Sequence, residues 1–66
     1  MNSDILQGKW EQLKGKARIK WAKLTSDDID QIRGEREKLI GKLRERYGLA
    51  QERAESDVED WLDTHN

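Results

Sequence analysis

The stretch from Thr25 to Gly48 constrains this chain more than any other. Thr25 or Ser26 can cap a helix start, and Asp27 and Asp28 put negative charge in the first turn, where the helix dipole favours it. Ile29, Ile32, Leu39, Leu43 and Tyr47 then recur at three-, four- and seven-residue steps, with Ile40 widening the stripe. That spacing predicts one apolar helical face, closed at Gly48, where glycine enters the left-handed conformation without a steric penalty. Gly34 interrupts the pattern. Glycine in a helix interior costs about 1 kcal/mol relative to alanine. The alternatives are therefore a short helix at 26–33 followed by a longer one at 35–47, or one helix kinked at Gly34; the reading favours the break. A face this apolar has to be covered by the flanking segments.

The N-terminal flank provides one such cover. Leu6, Trp10, Leu13, Ala17, Trp21 and Leu24 step by four and three and fall on roughly a third of a helical wheel. They predict a first amphipathic helix near 4–23, capped by Asn2, Ser3 or Asp4. The C-terminal flank provides the other. Ala54, Val58, Trp61 and Leu62 line one face of a last helix near 50–63, beyond which Thr64, His65 and Asn66 are expected to fray. The fold class expected is all-α: a small four-helix array of two crossed αα-hairpins in one domain. An offset of 26 residues aligns Gly8–Trp21 with Gly34–Tyr47. Gly8/Gly34, Glu11/Glu37, Leu13/Leu39, Gly15/Gly41, Lys16/Lys42 and Arg18/Arg44 are identical pairs. Duplication accounts for this, as does a bias toward Lys, Glu and Gly, and the architecture depends on neither.

A chain of 66 residues has little apolar material to build from. Leu, Ile and Val number 13 and Phe is absent, close to the composition of disordered chains. The net charge of −1 is unlike such chains, however, and three Trp and one Tyr add apolar area. There is no Cys, so neither a disulfide nor a thiolate metal site contributes. No window approaches the length of apolar sequence that spans a membrane, and no secretory signal is visible at the N-terminus, so the expected location is cytoplasmic.

Catalysis finds no foothold. His65 is the only His, and neither a phosphate-binding G-x-x-x-x-G-K-[ST] loop nor a G-x-G-x-x-G is present. The acidic pairs Asp27/Asp28 and Glu59/Asp60 lack the alternating ligands and central Gly of a calcium loop. They read as helix-start charge and a solvated face. No metal, cofactor or substrate pocket is expected. Trp10, Trp21 and Trp61 could be stacking platforms for single strands, but each lies on an apolar face and reads as core.

Two surface features remain. Residues 1–24 carry Lys9, Lys14, Lys16, Arg18, Lys20 and Lys23 against two acids, while residues 49–66 carry six acids against Arg53. Either the two ends lie side by side and neutralise each other, or the basic helix is left free for a polyanion. The cations spread around the wheel and the pI is near 5.8, so only weak, salt-sensitive nucleic-acid binding is expected. The second feature is a set of residues opposite the apolar stripes: Gly8, Gly15, Ile19, Gly34 and Gly41. They make a candidate partner face for the close approach of another backbone, a partner helix or a phosphate chain, with G-K lysines beside it.

The motifs G-K-W-x-x-L-K-G-K (Gly8–Lys16), K-L-T-x-D-D (Lys23–Asp28), G-x-R-x-x-L-x-G-K-L-x-E-R-Y-G (Gly34–Gly48) and D-W (Asp60–Trp61) occur in that order over nearly the whole chain. Together they resemble the CsbD-like family of small bacterial general-stress proteins. The resemblance implies a cytoplasmic bacterial protein, abundant under stress or in stationary phase, and four or five helices in two crossed hairpins. It implies no active site and supplies no functional residues. Three Trp and a fuller Leu/Ile set separate this chain from many members, which speaks against an activity that needs disorder. The first expectation is therefore a non-enzymatic stress-response protein acting by binding or by abundance. A nucleic-acid-associated protein using the basic helix comes next, and then a homo-oligomer or adaptor using the glycine-bearing face.

Overall fold

The structure is a computed structural model that describes the backbone of residues 3–64 and the side chains of residues 6–64. The candidate caps Asn2, Ser3 and Asp4 and the terminal His65 and Asn66 lie outside the described side chains. Among the described residues there are five helices and no strand: α1 (Ser3–Gly8), α2 (Trp10–Lys20), α3 (Ser26–Ile32), α4 (Arg36–Tyr47) and α5 (Gln51–Thr64).

The single first helix expected near 4–23 is thus two helices. Lys9 leaves helical geometry (φ −112°, ψ 15°) between them, and its carbonyl accepts from the N–H groups of Gln12 and Leu13 as α2 starts. Gly8, a weak helix former, sits at the joint. At its other end α2 stops at Lys20; Trp21 is its C-cap, with its N–H on the Ala17 carbonyl. The segment that follows turns through a Leu24 N–H to Trp21 carbonyl bond of 3.0 Å.

Thr25 then starts α3 with a reciprocal capping box. Its hydroxyl accepts from the Asp28 N–H and its own N–H donates to the Asp28 carboxylate, both at 3.0 Å. The break favoured near Gly34 is present. Arg33 (φ 53°) and Gly34 (φ 81°) are both left-handed, and Glu35 restarts the helix as the N-cap of α4. Gly48 (φ 67°) closes α4 with its N–H on the Arg44 carbonyl, and α5 follows.

One buried cluster holds these elements together: Leu6, Trp10, Leu13, Ala17, Trp21, Leu24, Ile29, Ile32, Leu39, Ile40, Leu43, Ala54, Val58, Trp61 and Leu62. Tyr47 packs on its edge, half-buried, as does Leu49. α5 lies along α4, α3 packs on α4, and α1 touches α2 and α4. Trp21 and Trp61 meet edge to face, with ring centroids 5.0 Å apart, and so tie the end of α2 to α5. No helix of the described chain is long and apolar enough to cross a membrane.

Candidate functional site

Part of the motif set is occupied inside the molecule. Asp28 lies in the first turn of α3, as expected of helix-start charge, and is only 1% exposed. Arg46 of α4 grips it bidentately, Nε to Oδ2 at 2.8 Å and the terminal nitrogen to Oδ1 at 2.9 Å, and Lys42 Nζ adds a contact of 3.3 Å. The Arg46 hydrogen bond, with help from Thr25 and Lys42, overrides burial and holds the Asp28 carboxyl well below the usual carboxylate range. The same contact pushes the Arg46 guanidinium up. Beside it, the Lys23 backbone N–H donates to the Tyr47 hydroxyl at 3.1 Å, and Lys23 Nζ sits 5.1 Å from the centre of the Tyr47 ring. K-L-T-x-D-D and E-R-Y-G are therefore two halves of one joint between the start of α3 and the end of α4.

A second joint involves the glycines. Gly34 is not on an open face as expected of it. It is buried, and a Cβ there would come within 3.0 Å of the Gln7 Cα and of the Trp10 Cβ. Gly8, Gly15 and Gly41 are exposed with open space around them, but they line three separate grooves: Gly8 with Gln7 and Glu11, Gly15 with Arg18 and Ser26, Gly41 with Gln31 and Arg33. The five candidates make no single face. Lys42, one of the G-K lysines, is turned onto Asp28 and Glu45.

The six candidate polyanion contacts divide as well. Lys14 pairs with Glu11 at 3.0 Å, and Arg18 donates to the Ser26 hydroxyl at 2.9 Å, on the side facing α3. Lys16 and Lys20 line the opposite side, facing α5, with Lys20 Nζ 5.9 Å from the Trp21 ring centre. Lys9 is exposed in the α1–α2 joint, and Lys23 covers Tyr47. No continuous phosphate track results. The basic and acidic ends do approach one another, since Lys16 and Lys20 share a groove with Asp60. Among the described residues, however, the acidic helix reaches another element by ion pairing through Arg36–Glu59 at 2.8 Å, from α4.

The surface left over is that groove. Lys16, Ile19 and Lys20 of α2 and Asp60, Trp61 and Thr64 of α5 enclose about 410 Å³ with mostly apolar walls. Ile19 stands on its rim, 84% exposed, the one large exposed hydrophobic side chain among the described residues. Thr64 returns its hydroxyl to the backbone carbonyl of Asp60 at 3.0 Å, and Asp60 itself is exposed. Its chemistry suits docking: an apolar floor with positive charge on one wall and negative on the other. In the sequence Ile19 belongs to the glycine-bearing set, Lys16 and Lys20 to the basic set and Asp60 to an acidic pair, with no signal at Thr64, because only the fold brings residues 16–20 beside 60–64.

Comparison with known proteins agrees with this pattern of motifs. The family model described as CsbD-like matches residues 4–56. A UPF0337 protein of Pectobacterium atrosepticum is 49% identical over 65 residues, covering 98% of this chain and 94% of its own. A UPF0337 protein of Pseudomonas aeruginosa is 52% identical over 63 residues, covering 96% and 97%. The UPF0337 protein YjbJ of Escherichia coli strain K12 is 49% identical over 61 residues, covering 92% and 88%. With four ordered motifs, a family match over most of its length and relatives of its own size, the chain belongs to the CsbD-like (UPF0337) family.

Proposed function

We propose that the protein is a non-enzymatic bacterial stress-response protein of the cytoplasm, acting by binding or through its abundance. The observation that supports this is where the motif residues go. Thr25, Asp28, Arg46, Tyr47, Trp10 and Gly34 hold helices to one another, so what the molecule offers outward is surface. The helices read as two crossed αα-hairpins with α1 and α2 as one arm. The 26-residue offset carries Trp10–Lys20 of α2 onto residues 36–46 of α4, and it carries the Gly8 joint onto the Gly34 joint. Those two joints touch, since Gly34 lies against Gln7 and Trp10.

The test is to quantify the protein by mass spectrometry through growth, entry into stationary phase and osmotic or oxidative challenge. A several-fold rise under one of these is expected; a constant low level under all of them overturns the reading. Retention on heparin at low salt that vanishes at moderate salt would move the proposal to a polyanion, because counterion release makes a weak phosphate contact fade quickly with salt, and no retention at low salt would remove that reading.

A further inference from the structure

We infer that the α2–α5 groove is a self-docking surface, through which two copies of this chain form a weak, salt-sensitive dimer about a twofold axis. Ile19 is nearly fully exposed on the rim of a groove with an apolar floor. A single exposed apolar side chain is ordinary on a protein surface; here, however, it borders an apolar groove rimmed by charge. The charges around it indicate which partner fits.

Lys16 and Lys20 form one wall and Asp60 belongs to the other. Neither Lys16 nor Asp60 makes an ion pair among the described residues. In a twofold contact, residue i of one copy meets residue j of the other and the reverse also holds. Turning a second copy over the groove therefore sets its Asp60 against Lys16 and Lys20, and its Lys16 and Lys20 against Asp60. Ile19 of each copy enters the apolar groove of the other. The pattern is thus complementary to itself. A uniformly basic or acidic partner would satisfy one wall and be repelled by the other. The patch spans about one turn of each helix, which places the contact at the small end of specific interfaces, below about 1,200 Å².

This inference rests on the reading that the chain acts through its surface. The two fail separately, because a chain that stays monomeric says nothing of its cellular abundance. Sedimentation velocity on the full chain, from micromolar to millimolar protein at low and at high salt, tests it. The expected result is a dimer that grows with concentration and weakens as salt is added. Ile19→Glu should weaken association about tenfold or more, the loss typical of a central contact residue, with an unchanged far-UV circular dichroism spectrum. Lys16→Glu with Lys20→Glu, and separately Asp60→Lys, should each be monomeric alone. An equimolar mixture of those two proteins should restore the dimer, because opposite charges then face each other at both ends of the contact. A wild-type chain that is monomeric throughout, a dimer indifferent to Ile19→Glu, or folded charge-reversed proteins that fail to pair on mixing would each overturn the inference.

Discussion

Gly34 and Gly41 look alike in sequence, yet the structure gives them opposite roles. Each falls within a helical pattern of apolar residues and each has a counterpart 26 residues earlier. Gly34 adopts φ 81° and presses its backbone against Gln7 and Trp10, whereas Gly41 is helical with open space where a side chain would go. Substitution separates them. Gly41→Ala and Gly15→Ala are expected to raise stability by roughly 0.5–1 kcal/mol each, because alanine loses less freedom on folding and meets nothing. Gly34→Ala should lower it by about 2 kcal/mol, through left-handed strain and a Cβ that collides with backbone and with an indole stem. Urea denaturation monitored by circular dichroism measures all three, and a stabilised Gly34→Ala would contradict the contact. Sequence alone signalled a break at Gly34 but not its burial, which depends on where α1 ends in space.

Among the elements, α3 is the shortest with a defined cap, and it is pinned rather than self-supporting. Its seven residues carry too few internal hydrogen bonds to persist alone. The Thr25–Asp28 box fixes its start, and the Asp28–Arg46 pair fixes it to α4. Asp28 has a folded-state pKa below its unfolded value, so its contribution is full above the unfolded pKa near 4. It is lost as pH falls toward the depressed folded value. Asp28→Asn should therefore be less stable than the wild type at pH 7, by about 2 kcal/mol. The gap should narrow steadily once pH drops below about 4. Thermal unfolding of both proteins across pH checks it, and a gap of constant size would mean the charge is not what matters.

The apolar stripes, the Gly34 break and the Gly48 stop were legible because each is a local pattern of period or propensity. The Asp28 network was not, because it joins residues 18 apart whose pairing only the α3–α4 angle decides. The division at Gly8–Lys9 was legible in principle. The repeat aligns Gly8 with Gly34, and a break inferred at one copy could have been carried to the other, but the unbroken Leu6–Trp10–Leu13 spacing concealed it. The groove, finally, is assembled from both ends of the chain, so no window of sequence contains it.

For the whole molecule, the balance is narrow. Domains hold together by about 0.05–0.15 kcal/mol per residue, so this chain has roughly 3–10 kcal/mol in all. Trp61 is nearly fully buried and locks α5 onto α2. Trp61→Ala is expected to remove about 3–5 kcal/mol, enough to unfold much of the population at room temperature, while Trp61→Phe should leave a folded, weakened protein. Circular dichroism melting curves distinguish the two; an Ala variant that melts like the wild type would show that α5 needs no such anchor. The edge-to-face pair has an optical corollary. Two indoles 5.0 Å apart, forty positions distant along the backbone, exchange excitation only while both termini of the bundle are clasped together. The coupled transition of these rings thus serves as an intrinsic gauge of closure, readable without any attached label.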